Sequence, residues 1–176
     1  MAQFTNMPPT FVPIQIVDVT SAVGGGRPNS RADVMLVQFA LNKIMAAPGG
    51  RGQLPDITRP AIPGPLGATF PSLAPLAVDG FFGSKTLAAI RAYQSASIAG
   101  SSALKTDGAV DPVHTFLTGI TGDPIGGGTL NVVTKVGRFT MFKLNADILK
   151  LFGKVIQDAE LPPLVQASLR TRRRGS

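Results

Sequence analysis

Two Asp-Gly pairs, each standing just ahead of a helix-start pattern, constrain this chain more than any other feature. The first lies in Leu76-Ala77-Val78-Asp79-Gly80-Phe81-Phe82-Gly83-Ser84-Lys85-Thr86, the second in Leu104-Lys105-Thr106-Asp107-Gly108-Ala109-Val110-Asp111-Pro112. Glycine adopts the positive φ of a tight turn, and the aspartate before it accepts hydrogen bonds from the amides that follow. Each turn therefore ends one element and aims the next. Ser84 is placed to cap a helix from Lys85 to about Ser97, with Leu87, Ile90 and Tyr93 or Gln94 at helical spacing. Asp111-Pro112 offers a cap followed by proline at the first helical position, which predicts a short helix from Pro112 to about Gly119.

Upstream, Ser30 is the predicted cap of a helix that Pro48-Gly49-Gly50 ends. Its hydroxyl reaches the N–H of Asp33, whose carboxylate suits the positive end of the helix. Val34, Val37, Leu41 and Ile44 form one apolar stripe, and Gln38 lies at its edge, where its expected role is to hydrogen-bond a neighbouring loop. Gly24-Gly25-Gly26 is followed by no Gly-Lys-Ser/Thr, so a permissive turn outweighs a phosphate cradle. Residues 46–75 hold seven prolines and five glycines, which predicts a long irregular loop serving as an assembly or recognition arm.

The helix carrying Gln38-Phe39-Ala40-Leu41-Asn42, the Val78-Asp79-Gly80 turn, the helix through Tyr93-Gln94 and the second Asp-Gly turn together resemble the peptidoglycan-binding-like domain over residues 17–119. That resemblance implies a mainly α fold, a three-helix module that binds cell wall in a shallow groove between helices and does not cut it. The 46–75 connection is much longer than the family's and counts as an insertion. Around the module, residues 1–16 read as an extended N-terminal arm, with a short strand at 11–19. Residues 120–176 read as a basic C-terminal helical extension. Within that extension, 130–136 has the Val and Thr content of a strand. Residues 141–158 form a basic amphipathic helix with Leu144, Ile148, Leu151, Phe152, Val155 and Ile156 on its apolar side, and a last helix follows from Pro163 to about Arg172. On this division, deleting residues 153–176 is expected to leave the module folded.

The chain has no cysteine, one histidine (His114) and one glutamate (Glu160), which removes disulfides, thiolate chemistry and multi-histidine metal sites. No enzyme activity, cofactor or metal is expected. The net charge of +7 is uneven: residues 1–119 carry 8 basic and 6 acidic side chains, residues 120–176 carry 9 and 4. The excess ends in Arg170, Arg172, Arg173 and Arg174, candidates for contact with a partner or an anionic surface, weighed against a solvated tail. No specific nucleic-acid recognition is expected. The start of the chain lacks the pattern of a signal peptide, and no run is long and apolar enough to span a membrane. The expectation is cytoplasmic synthesis, with delivery to the wall by lysis, a phage particle or a contractile, type VI-like secretion machine.

The candidate ligand contacts are Asp79, Phe81, Phe82, Arg91, Tyr93 and Asp107. The aspartates either meet sugar hydroxyls and peptide amines or satisfy their own turns. Of the adjacent Phe81 and Phe82, one belongs in the core and the other is free to stack on a sugar. Arg91 and Tyr93 are read as exposed polar neighbours, and His114 as a capping or packing residue. The leading expectation is a noncatalytic peptidoglycan-binding protein. The alternatives are a structural adaptor of a larger particle, with protein partners on the arm, the loop and the extension, and a membrane-perturbing secreted toxin.

Overall fold

A computed structural model describes residues 2–6, 15–48, 53–56, 60–61, 71–96, 106–114 and 139–173. The fold is mainly helical with one small sheet. Strands β1 (Ala2–Asn6) and β2 (Gln15–Val19) pair antiparallel, with Ala2 opposite Val19 and Asn6 opposite Gln15. Helices α1 (Arg31–Met45), α2 (Ser84–Ala96), α3 (Thr140–Phe152) and α4 (Pro163–Arg173) follow, with a single 3-10 turn at Asp158–Glu160 before α4.

Helix α1 is the centre. Ser30 caps it as the sequence predicts, its hydroxyl accepting from Asp33 N–H at 3.4 Å, and the buried Asp33 carboxylate accepts in turn from Thr20 N–H (3.0 Å) and Ser21 N–H (3.1 Å). The end of β2 and the start of α1 are thereby one unit. Val34, Val37, Leu41 and Ile44 are fully buried, but so are Leu36 and Ala40. The apolar surface is wider than the predicted single stripe because α1 packs against α2, α3 and α4 at once.

The N-terminal segment is not a lone arm: β1 is zipped to β2 and packs on α4. Helix α3 stops at Phe152, not at residue 158, because Gly153 takes a left-handed conformation and donates its N–H to the Leu149 carbonyl. Beyond this cap the chain turns back, and Ile156, Leu161, Val165 and Leu169 are buried. Together with Met141, Leu144 and Ile148 of α3 they belong to the same hydrophobic cluster as α1 and α2. Among the described residues there is one core, so residues 139–169 complete the core and are not an appendage to it. The predicted 130–136 strand and most of the 112–119 helix lie outside the described residues.

A charged clamp closes the far end of α1. Glu160 accepts from Lys43 Nζ at 2.8 Å and Lys154 Nζ at 2.7 Å, while Lys43 lies 5.7 Å and 5.6 Å from the ring centres of Phe39 and Phe152. The two lysine hydrogen bonds hold the Glu160 carboxyl down to about 2. A depressed carboxylate stabilises the fold fully above its unfolded value near 4.5, and the benefit fades as pH falls towards about 2. Water screens this surface pair, so the contribution is about 1 kcal/mol. Glu160→Gln is therefore expected to lower the urea midpoint at pH 7, and the gap from the parent should narrow as pH falls from 5 to 3. A gap that stays constant with pH would refute the clamp.

Candidate functional site

The two Asp-Gly turns are held by one device used twice. In the first, Gln38 of α1 accepts from Gly80 N–H at 3.0 Å through Oε1. Its Nε2 faces Asp79 Oδ1 (3.1 Å), the Phe81 carbonyl (3.1 Å) and Thr86 Oγ1 (3.2 Å). In the second, Gln94 of α2 accepts from Gly108 N–H at 2.9 Å, and its Nε2 faces Asp107 Oδ1 (3.3 Å), the Ala109 carbonyl (2.9 Å) and Thr140 Oγ1 (3.0 Å). Each aspartate also accepts from the amide two residues on, Phe81 N–H and Ala109 N–H, both at 2.9 Å. Both glutamines are buried, so the polar groups of each turn are satisfied inside the protein without water.

The correspondence extends to the helices. Gly80 sits against Arg31 and Met35, seven and three residues before Gln38; Gly108 sits against Leu87 and Arg91, seven and three before Gln94. The hydroxyls differ in origin. Thr86 is seven residues after Asp79, whereas seven after Asp107 stands His114, and Thr140 at the head of α3 takes the hydroxyl position instead. Helix α3 thus stands to the second turn as α2 stands to the first.

Both glycines have positive φ, +77° and +72°, but their surroundings differ. A Cβ on Gly80 would meet Arg31 Cγ and stand 2.7 Å from the Arg31 carbonyl, which the helix holds in place. A Cβ on Gly108 would meet Leu87 Cδ1 at 2.5 Å and Arg91 Nε at 3.1 Å, both far ends of side chains able to swing away. Gly80→Ala is expected to cost about 3–5 kcal/mol from φ strain plus overpacking, and Gly108→Ala about 1–2 kcal/mol from φ strain alone. Chemical denaturation of the two variants reads the difference; equal losses would show that α1 yields at Arg31.

Asn42, one turn beyond Gln38, pairs its side-chain amide with both backbone groups of Leu76, donating to the carbonyl at 2.8 Å and accepting from the N–H at 2.7 Å. Asn145 of α3 does the same to Val17 of β2, at 2.9 Å and 3.3 Å. A carboxamide has the donor-acceptor geometry of a peptide group, so each asparagine docks a strand-like segment on a helix.

The candidate contacts fall into separate places. Asp79 and Phe81 lie together on the first turn with Arg31, whose guanidinium carbon is 5.2 Å from the Phe81 ring centre. The amide of Phe81, then the amide of Gln38, hold the Asp79 carboxyl below its usual value, so it is ionised. Phe82 is half-buried against the core, as expected for one of two adjacent phenylalanines. Arg91 and Asp107 flank the second turn. Tyr93 is not a surface residue: it is buried, and its hydroxyl donates to Asp147 Oδ2 at 2.7 Å. Burial, reinforced by the Asp147 charge, pushes the phenol well above its usual value and keeps it protonated. Lys143 Nζ donates to the other oxygen of Asp147 at 2.8 Å, completing a buried triad that joins α2 to α3.

His114 places Nδ1 3.0 Å from Asp18 Oδ2, and the buried Asp18 also accepts from Val113 N–H at 3.0 Å and His114 N–H at 2.9 Å. The pair docks the end of the second turn on β2. A cleft of about 410 Å³ opens where Leu73 and Leu76 face Ser84, Lys85 and Ala88 of α2, with Asp56 on its rim. None of the candidate contacts lines it. The side chains of Arg170, Arg172 and Arg173, and all of Arg174, lie outside the described residues, although 170–173 end α4. Among the described residues there is no cluster of metal-binding side chains and no helix long and apolar enough to cross a membrane.

Arg31 escaped the sequence reading because nothing local marks it; only packing of α1 on the first turn brings it to Phe81 and Asp79. Comparison with known proteins found no matching family model, no similar curated protein and no similar solved structure.

Proposed function

We propose that this chain is a noncatalytic peptidoglycan-binding protein. Its module comprises α1, α2, α3 and the two Asp-Gly turns, with 46–75 as an insertion and α4 as a buttress. The observation that carries the reading is the repeated glutamine lock. Gln38, Asp79, Gly80, Gln94, Asp107 and Gly108, on which the resemblance rests, are the residues that hold the helices to the turns. Turns satisfied in this way are rigid before any ligand arrives, so binding loses little conformational entropy. Recognition is by polar and stacking contacts, and no bond is broken. Delivery to the wall is by lysis, a phage particle or a secretion machine.

The purified chain is expected to sediment with isolated sacculi at physiological salt and to release no soluble muropeptides. Muropeptide release above a buffer control would overturn the noncatalytic part. Failure to sediment would favour an adaptor of a larger particle, meeting its partners through the 46–75 loop and the chain ends. One observation leans that way: Asp79 and Asp107 both direct Oδ1 into their own turns. The membrane-perturbing alternative has less support, because Leu144 and Ile148 on the apolar side of α3 already lie in the core.

A further inference from the structure

We propose that Phe81, Arg31 and Asp79 form a contact plate for a pyranose sugar that carries a single carboxylate, an inference that rests on the wall-binding reading and gives it a chemistry. Phe81 is 67% exposed, the most exposed large hydrophobic side chain among the described residues. Its backbone is nevertheless fixed, since its N–H donates to Asp79 and its carbonyl accepts from Gln38. Arg31 lies over the ring and anchors itself by donating Nε–H to the Asp79 carbonyl at 3.2 Å. That bond leaves the outer edge of the guanidinium, the edge that pairs with carboxylates, with no ion pair among the described residues.

The second turn is an internal control. It is built with the same lock, yet Ala109 stands where the first has Phe81, and Leu87 where the first has Arg31. Ala109 is buried and the turn is complete without an aromatic ring, and its arginine, Arg91, stands where the first turn has Met35, not where it has Arg31. The architecture therefore needs neither an exposed phenylalanine nor an arginine at these positions. Holding an arginine in order over an exposed ring costs side-chain entropy, and this stacked pair, present at the first turn and not built at the second, points to a ligand.

The three groups narrow that ligand. A flat ring with one face under Arg31 offers the other face to the C–H surface of a sugar. The outer edge of the Arg31 guanidinium, unpaired among the described residues, takes a carboxylate in a two-point contact. Asp79 is ionised and solvent-facing, with Oδ1 committed to the turn, so it accepts sugar hydroxyl or amide protons. Arg31 and Asp79 cancel in charge, so a dense polyanion gains little here, while a singly charged, hydroxyl-rich sugar matches every group. A glycan-strand sugar with its acid free fits this description.

The test is an NMR titration of the full chain with N-acetylmuramic acid and with N-acetylglucosamine, which share the pyranose and differ in the lactyl carboxylate. The acid is expected to shift the Phe81 ring and Arg31 side-chain signals and to bind about tenfold more tightly than the neutral sugar. Phe81→Ala should abolish the shifts, and Arg31→Met, which keeps the stem over Gly80, should remove the preference for the acid. Both variants should melt like the parent, because the second turn already works with alanine and leucine. Equal response to the two sugars, or unshifted Phe81 and Arg31 signals in a chain that still sediments with sacculi, would overturn the plate and leave wall binding standing. Shifts by D-alanyl-D-alanine alone would overturn the sugar in favour of a peptide terminus. Specific binding of the acid by a chain that does not sediment would sustain the plate and overturn the wall-binding reading.

Discussion

Deleting Gly153–Ser176 is expected to unfold the whole chain. The segment supplies Ile156, Leu161, Val165 and Leu169, each at most 3% exposed, to the cluster shared by α1, α2 and α3. At about 1.5–3 kcal/mol per buried side chain, their loss removes about 6–12 kcal/mol, comparable to the entire stability of about 5–15 kcal/mol expected of a domain. It also takes Glu160 from Lys43 and uncovers the face of β1 that α4 packs on. Circular dichroism and a one-dimensional proton spectrum should show lost cooperativity and collapsed dispersion. A truncated chain that still melts cooperatively within about 5 °C of the parent would restore the two-part organisation read from the sequence. That organisation followed from the extent of the resemblance, which stops at residue 119, and from the basic excess beyond it.

Asp147→Ala should be as damaging as Gly80→Ala, although neither residue belongs to the apolar core. Asp147 is buried and takes both the Tyr93 hydroxyl and the Lys143 ammonium. Removing it strands a buried cation and a buried donor, at about 3–5 kcal/mol. Lys143→Met combined with Asp147→Leu should recover most of that loss, because two apolar side chains of similar volume need no partner, leaving only the phenol unpaired. Denaturant midpoints of the single and double variants decide the matter. A double variant no more stable than Asp147→Ala would mean that the ionic pair adds stability that apolar packing does not replace.

Local chemistry was legible wherever it is self-contained. Ser30 and Asp33 read as a cap because cap and helix are three residues apart, and they are one. The Asp-Gly turns read as turns because φ at a glycine and an amide two residues on are local matters. Gln38 read as a loop anchor from its place beside the apolar stripe, although its partner lies more than forty residues away. Tyr93 did not read correctly. A tyrosine next to Gln94 on a helix looks amphipathic, and only the arrival of Asp147 from α3 gives its hydroxyl a buried acceptor. Residues 153–158 were misread as helix because the apolar spacing continues through Val155 and Ile156, and the period carries no mark of the left-handed stop at Gly153.

Sequence alone thus set the Ser30 cap, the two turns and, to within a few residues, the helical spans of α1, α2 and α4, since each depends on groups close together in the chain. Helix α2 departs in starting at Ser84 itself, with the Gly83 carbonyl and not a Ser84 cap taking the first helical bond, from Leu87 N–H. Tertiary structure decided the rest. It set how many faces of α1 are buried and gave Thr140 the hydroxyl position in the second lock. It also placed Arg31 over Phe81 and made the C-terminal helices part of one core. Those outcomes depend on which distant surfaces exclude water together, and hydrophobic burial has no direction along the chain to reveal its partner in advance.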